Sequence, residues 1–469
     1  MNTPLPTIRW GLIGLGAMGR NLALNFADHG IPLDCYDADP QQASRLKTQQ
    51  PHAGVTVHTS LENLLLALPS PRAVLILVPA GPAVDALLAE LVPRMRAEDV
   101  ILDASNAHYP DTLRRCSQLG AGAPALLDIG MSGGPDGARH GPAILLGGEE
   151  SAARRIAPTL ARIAWQDDTG SGFARLGRTG AGHFVKMVHN GIEYVEMQLI
   201  AEAWLIMRLL LGLSAAEGAA IFQRWNDGRL AGYLVEITAS ILRKQDPETG
   251  EPLIEHVRDR ARQKGTGRWT AQAALELEVF APLFDVAVSM RHHSLAHRAA
   301  PPLAGITPAP SSQREAILEQ LEAALFAARI MAFFQGFALL DAGDARHGWQ
   351  LDPAAVLTTW RRGSVIRCAL LGTFHTQVAQ HEATFASLPE DASILALLKG
   401  CATHWRLLVT TTVDAGLPIP AMSLALSCWD ALGKGRLGGE LIQAQRDCFG
   451  HHGFERTDRE GTFHTHWLE

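Results

Sequence analysis

Lys186, His189, Asn190 and Glu193 fall in one stretch, Gly182 to Tyr194, that reads as a single helix. At 3.6 residues per turn they lie at about 0°, 300°, 40° and 340° around the axis, so all four share one face. That face gathers a base, an acid and polar donors on one scaffold, the equipment of a reaction in which one proton leaves and another arrives. A surface helix also carries Lys and Glu at this spacing as a solvated ion pair, which is the competing reading. Phe184, Val185, Val188 and Ile192 interleave with the polar four, and the following run from Met197 to Met207 is largely apolar. This setting predicts that the polar face lines a cavity instead of meeting bulk water.

A second constellation lies near the N-terminus. Gly14-Leu15-Gly16-Ala17-Met18-Gly19 follows a strand-like run, Ile8 to Ile13, and opens a helical one, Arg20 to Ala27. In that context the glycines serve a tight turn, close backbone approach to a pyrophosphate and close helix packing, with the anion on a helix N-terminus. The next strand, Ile31 to Tyr36, ends at Asp37. A carboxylate there accepts hydrogen bonds from the adenosine ribose hydroxyls and repels a 2′-phosphate. Ala38 and Asp39 follow, with no arginine to clamp such a phosphate, so NAD is favoured over NADP. The alternative is that Asp37 only caps the next helix.

The elements that must position these groups divide the chain. Residues 8 to about 150 alternate short apolar runs (Val74 to Val78, Val100 to Leu102, Ala125 to Asp128) with amphipathic stretches. This is the pattern of a mostly parallel sheet covered on both faces, a doubly wound, Rossmann-like α/β domain. From about residue 180 long helical periods take over. The expected division is a dinucleotide-binding domain over 1–179, an all-helical substrate and dimerisation domain over 180–437, and a tail over 438–469 without a core of its own.

The 469 residues carry a formal charge of −7, which gives no electrostatic footprint for nucleic acid, so an anionic ligand needs a local cationic cluster. The most apolar helical stretch read from the sequence, Leu199 to Leu213, is broken by Glu202 and Arg208, and no membrane span is expected. Six scattered cysteines without a C-x-x-C pair fit reduced thiols, and no basic n-region or cleavage site marks a secretion signal. A cytoplasmic enzyme is expected, with no zinc or other metal site.

These segments, with Met131-Ser132-Gly133-Gly134, Gly137 to Pro142, Gln263 to Thr270 and Ala444 to Gly450, resemble the 6-phosphogluconate dehydrogenase family, within the β-hydroxyacid dehydrogenases, over almost the whole chain. The resemblance implies oxidation of the substrate's C3 hydroxyl, decarboxylation of the 3-keto acid and release of ribulose 5-phosphate without a metal, a step of the pentose phosphate pathway. It implies Lys186 as general base and Glu193 as general acid. It implies that His189 and Asn190 position the reacting hydroxyls, that Ser132, Gly133 and Gly134 hold the carboxylate end, and that Asn106 sits beside nicotinamide and substrate. The phosphate would be held by Tyr194, Lys264, Thr266 and Arg291, joined by Arg446 and His452 from the neighbouring subunit of a homodimer. The cofactor set is Gly14, Gly16, Ala17, Met18, Gly19, Asp37, Val78 and Asn106.

Departures accompany the matches. Asp37-Ala38-Asp39 stands where NADP-using members have Asn-Arg-Thr, and Val78-Pro79-Ala80-Gly81 lacks the lysine of Val-Lys-Ala-Gly. Taken alone, Arg291 beside His292 and His293 also reads as a surface or helix-end charge. Two other functions compete: a β-hydroxyacid dehydrogenase acting on an unphosphorylated hydroxy acid, which would not need Lys264, Arg291 and Arg446, and a non-catalytic nucleotide-binding paralogue, which would not need both Lys186 and Glu193.

Overall fold

The computed structural model describes residues 8–49, 52–168, 170–296, 305–381 and 383–468. Its N-terminal part is built on an eight-stranded sheet in the order β10-β7-β6-β5-β4-β1-β2-β3. The strands are β1 (Arg9–Ile13), β2 (Leu33–Tyr36), β3 (Val55–Val57), β4 (Arg72–Ile76), β5 (Val100–Asp103), β6 (Ala125–Ser132), β7 (Ala143–Gly147) and β10 (Phe173–Arg175); β8 (Gln166–Asp167) and β9 (Gly170–Ser171) form a small hairpin beside it. Every pairing in the large sheet is parallel except β6 with β7. β4 and β5 are buried at every position, as continuous apolar strands covered by helices on both faces must be. The chain order reverses at β1, flanked by β2 and β4, and this reversal opens a crevice beyond the carboxyl ends of those strands.

Beyond Arg175 the chain is almost entirely helical until its last hairpin. The helix Ala181–Leu205 runs between the sheet and the remaining helices and is buried along nearly its whole length. It packs on β6 and β7 on one side and on the helices Thr266–Glu276, Pro282–Leu295, Arg314–His347 and Pro420–Leu432 on the other. Two of its carboxylates fix that arrangement. Glu196 pairs with Arg329 at 3.0 Å, both 1% exposed, and Glu202 accepts hydrogen bonds from Ala421 N and Met422 N, capping the helix Pro420–Leu432 from outside.

The segment Leu199 to Leu213 is not the most apolar helix. It comprises the end of the central helix, a π-turn over Ile206–Leu210 and a short loop. Among the described residues, the span Ser311–His347, which holds the helix Arg314–His347, is the one long and apolar enough by composition to cross a bilayer, and it is buried as the core of the helical part.

The tail forms a helix, Gly439–Gly450, and a hairpin of β11 (Phe454–Glu455) and β12 (Thr462–Phe463). It contributes no side chain to the apolar core clusters, but it is not without organisation. Asp447 is fully buried and accepts from Gly453 N, Thr465 N, His464 Nδ1 and Trp467 Nε1, so a polar hub replaces an apolar core.

Candidate active site

The polar face of Gly182 to Tyr194 is inside the protein. His189 is fully buried, Lys186 and Asn190 nearly so, and Glu193 is half-buried. Lys186 Nζ lies 3.3 Å from His189 Nδ1, Asn190 Oδ1 lies 3.1 Å from the same nitrogen, and Glu193 Oε2 is 3.8 Å away. On the far side of the ring, Ser132 Oγ is 3.0 Å from Nε2 and itself accepts from Val365 N at 3.2 Å. With Nδ1 donating to the Asn190 carbonyl and Nε2 accepting from Ser132, one of the two tautomers these contacts allow, both ring nitrogens are satisfied. A lysine facing an N–H donor can offer only the lone pair of its uncharged form.

Burial works in the same direction. It lowers Lys186 to about 8, partly offset by Glu193. It pushes His189 well below the ordinary imidazole value, helped by Lys186. It raises Glu193, against the pull of Lys186 and Arg291. The solvated ion pair is therefore ruled out as the role of this face, and an amine that is easily deprotonated stands beside a carboxyl that is easily protonated.

The loop after β6 is shaped for close approach. Gly133 has φ 119° and Gly134 φ 65°, and a Cβ at Gly133 would lie 2.6 Å from Gly363 O, whereas one at Gly134 would meet nothing within 4 Å. Gly134 thus leaves open space beside Ser132. Asn106 is exposed just beyond β5. Its loop is tied to the helical part by His108, whose ring stacks on Trp269 with centroids 5.0 Å apart.

The predicted phosphate residues converge only in part. Tyr194 is buried under Arg291, whose guanidinium carbon stands 3.7 Å from the ring centroid, and Arg291 also contacts Met197 Sδ. Arg291 is thus a stacked, partly buried cation and not a helix-end charge. Thr266 opens its helix, which Thr270 Oγ1 fastens to the central helix through Met187 O at 2.8 Å; Lys264 is exposed just before it. Arg446 and His452 remain apart from this group. Arg446 is exposed and bonds to Gln443 of its own helix, and His452 meets Phe449 and Gly450.

At the crevice beyond β1 and β4, the three glycines meet the expected geometry. Gly14 turns at φ 102°, with room for a Cβ denied by Leu77 O at 2.4 Å; a Cβ at Gly19 would strike Gly14 O at 1.9 Å; one at Gly16 would face nothing within 4 Å. The helix Ala17–Asp28 begins there with no side-chain cap, leaving its first N–H groups to a ligand. Ala17 is exposed and Met18 packs inward.

A cavity of about 510 Å³ opens beside this turn, lined by Gly14, Gly16, Asp37, Asp39, Val78 and Glu90 among others. Its lining includes three carboxylates and no Lys, Arg or His. Asp37 Oδ2 accepts from Leu15 N at 2.5 Å and Oδ1 from Asp39 N at 2.8 Å, so its carboxylate is anchored to the glycine turn. The next helix takes its cap from Asp39, which accepts from Gln41 N, so the capping alternative for Asp37 fails. A carboxylate so placed can accept from the hydroxyls of an adenosine ribose, and Arg20 stands beside the lining, bonded to Leu15 O at 3.1 Å and to Gln42 Oε1 at 2.6 Å.

Gly363 and Val365 are residues the sequence reading missed. They reach the Ser132 loop from a segment far along the chain, and no local pattern marks them. His189 also meets the Trp360 ring edge-on at 6.0 Å, which seals the buried side of the imidazole.

Comparison with known proteins covers both parts. The family described as 6-phosphogluconate dehydrogenase, C-terminal domain, matches residues 182–467, and the NAD binding domain of 6-phosphogluconate dehydrogenase matches residues 9–170. The chain is 37% identical to the NADP(+)-dependent, decarboxylating 6-phosphogluconate dehydrogenase of Bacillus subtilis (strain 168), covering 98% of this chain and 99% of that protein. It is 36% identical, with the same coverage, to the NAD(+)-dependent, decarboxylating enzyme of the same organism. It is similar in structure to Plasmodium falciparum 6-phosphogluconate dehydrogenase, solved in apo form and in complex with NADP+ and with 6-phosphogluconate, with a TM-score of 0.90, 31% identity, and 98% and 100% of the two chains covered. Such even identity to an NADP-using and an NAD-using enzyme leaves the choice of oxidant to the local chemistry of the cavity.

Proposed function

The chain belongs to the 6-phosphogluconate dehydrogenase family, with its NAD(P)-binding and helical domains both present, and from that premise we propose that it oxidatively decarboxylates 6-phosphogluconate with NAD as oxidant. The observation that carries the reading is the buried contact of Lys186 with His189, flanked by Glu193 and Ser132.

Held by the turn Gly14 to Gly19 and by Asp37, NAD would supply the acceptor for the C3 hydride. The neutral amine of Lys186 accepts the C3 hydroxyl proton as that hydride leaves, and His189 and Asn190 hold the hydroxyls in reach. The ammonium so formed faces the new C3 carbonyl in a site screened from water. There it stabilises the negative charge that builds on oxygen as the C1 carboxylate departs, the task a metal ion performs elsewhere. Carbon dioxide leaves and an enediol remains. Lys186 gives its proton to the C3 oxygen as that enediol forms; Glu193, raised by burial and about two turns along the same helix, then delivers a proton to the carbon that bore the carboxylate, C1 of ribulose 5-phosphate, while Lys186 takes up the hydroxyl proton as the neighbouring C2 carbonyl forms. The enzyme is metal-independent on this account, so EDTA leaves turnover unchanged.

Arg291 over Tyr194, with Lys264 and Thr266, receives the phosphate on one side. For the other side the favoured source is a second copy of the chain. Leu441, Ile442 and Phe449 of the tail helix are exposed apolar groups, and Arg446 has no substrate partner in its own tail. This supports a homodimer whose Arg446 and His452 complete the neighbour's site. All six cysteines are free thiols, which fits a cytoplasmic enzyme.

Initial rates with NAD and NADP, each against 6-phosphogluconate and gluconate, test the reading. The expected result is efficient turnover with NAD and the phosphorylated acid alone. A preference for NADP overturns the cofactor assignment, and equal use of gluconate overturns the substrate.

A further inference from the structure

β6 meets the central helix at every second residue. Alternate side chains of a strand share a face, and Asp128, Gly130 and Ser132 all turn toward Ala181–Leu205. Ser132 reaches His189. A Cβ at Gly130 would come within 2.6 Å of Lys186 Cβ and 2.5 Å of Gly182 O, so strand and helix touch at the level of the base. Asp128 takes the start of the helix: Oδ1 accepts from Gly180 N at 2.7 Å and Oδ2 from His183 N at 2.8 Å.

Those two N–H groups, at the N-cap and N3 positions, are the pair that a capping box satisfies from within its own helix. Here the N-cap is Gly180, at φ 94° and without a side chain, and one fully buried carboxylate from another element serves both donors. Its seat is cleared by glycines. A Cβ at Gly147 would lie 2.6 Å from Asp128 Oδ1, and one at Gly182 3.0 Å from Oδ2. None of the catalytic steps above uses Asp128.

We propose that Asp128 is a positioning residue for the reaction: it registers the central helix against β6 so that Lys186, His189 and Ser132 meet. The inference rests on Lys186 as the base. The charge of a helix N-terminus fades within the first turn, and Lys186 stands one turn beyond His183, so Asp128 acts on it through position. The other charged or titratable groups around these turns are His183, His189 and Glu193 on the helix, Asp103 of β5 near Asp128, Arg291 near Glu193 and Arg329 on Glu196.

Asp128→Asn keeps the shape but turns an NH2 toward one of the two N–H donors, breaking that bond and removing the charge. The expected result is a kcat lowered about tenfold or more with the KM for NAD and the acid limb of kcat/KM both unchanged. Wild-type kcat overturns the inference, as does a lower Tm with kcat intact or a loss carried by the KM for NAD alone. Should that variant fail to fold, Gly147→Ala decides: it crowds the carboxylate while keeping its charge, so kcat falls and the acid limb stays, and wild-type kinetics overturn the inference. Lys186→Ala separates the two readings. If it turns over normally, the proposed function falls; if it is inactive while Asp128→Asn is kinetically normal, the role of Asp128 alone falls.

Discussion

The central helix and the tail both carry predicted site residues, and they hold their polar groups in opposite ways. Along Ala181–Leu205 the polar groups are buried against one another, so Lys186 is lowered to about 8 and Glu193 is raised, each brought nearer its uncharged form. In the tail, the buried carboxylate of Asp447 is satisfied by its own segment, while Arg446 and His452 stay exposed. The first arrangement makes reactive groups and the second makes a presented surface. On the proposed reading, the difference teaches that one chain holds both proton-transfer groups, while the residues proposed for the second phosphate grip face outward, with exposed Leu441, Ile442 and Phe449 on the same tail helix.

The contrast can be broken most forcefully at Lys186. Lys186→Ala should lower kcat by about 10³ to 10⁴ with little change in cofactor binding by fluorescence titration, since a general base contributes on that scale. Normal turnover would mean that the buried face is not the catalytic one. Glu193→Gln should lower kcat by about 10² and slow protonation at C1, visible as reduced tritium incorporation from solvent. Because Lys186 must be neutral to act and titrates at about 8, kcat/KM should rise with pH through that region. A flat profile between pH 6 and 9 would remove Lys186 as the titrating base.

The tail is tested by exchange between subunits. Arg446→Ala should cost about 2 kcal/mol, or roughly thirtyfold, in kcat/KM for 6-phosphogluconate, mostly through KM. Mixing inactive Lys186→Ala subunits with Arg446→Ala subunits should restore turnover if the arginine serves the neighbour's site, and should not if it serves its own. At the cofactor crevice, Asp37→Ala should weaken NAD use by about tenfold and narrow the discrimination against NADP. The smallest effect is expected for Asp447→Asn, which loosens the tail: a severalfold rise in substrate KM with the main thermal transition unmoved. A large fall in Tm would show that the tail is integral to the body.

Much of this was legible in the residues alone. The alternating apolar runs, the glycine turn and Asp37 are local patterns, and each reports a local constraint: strand burial, backbone approach, a carboxylate at a strand end. The shared face of Lys186, His189, Asn190 and Glu193 follows from helix geometry. Reading Leu199 to Leu213 as the most apolar helix failed because composition over a short window does not say which helix the others surround. Asp128 was visible as a charge ending an apolar strand, yet its purpose depends on a helix that begins far along the chain.

The sequence by itself therefore determined the fold class, the oxidant crevice and which side chains ride together on one helix, because these depend on periodicity and short-range geometry. Only the tertiary structure decided that Lys186 is desolvated, that His189 is held between Ser132 and Asn190, that Arg291 lies over Tyr194, and that Asp128 caps the catalytic helix. Those properties arise from contacts between segments distant in the chain, and burial, which sets the protonation of every group in the site, is a property of the packed whole.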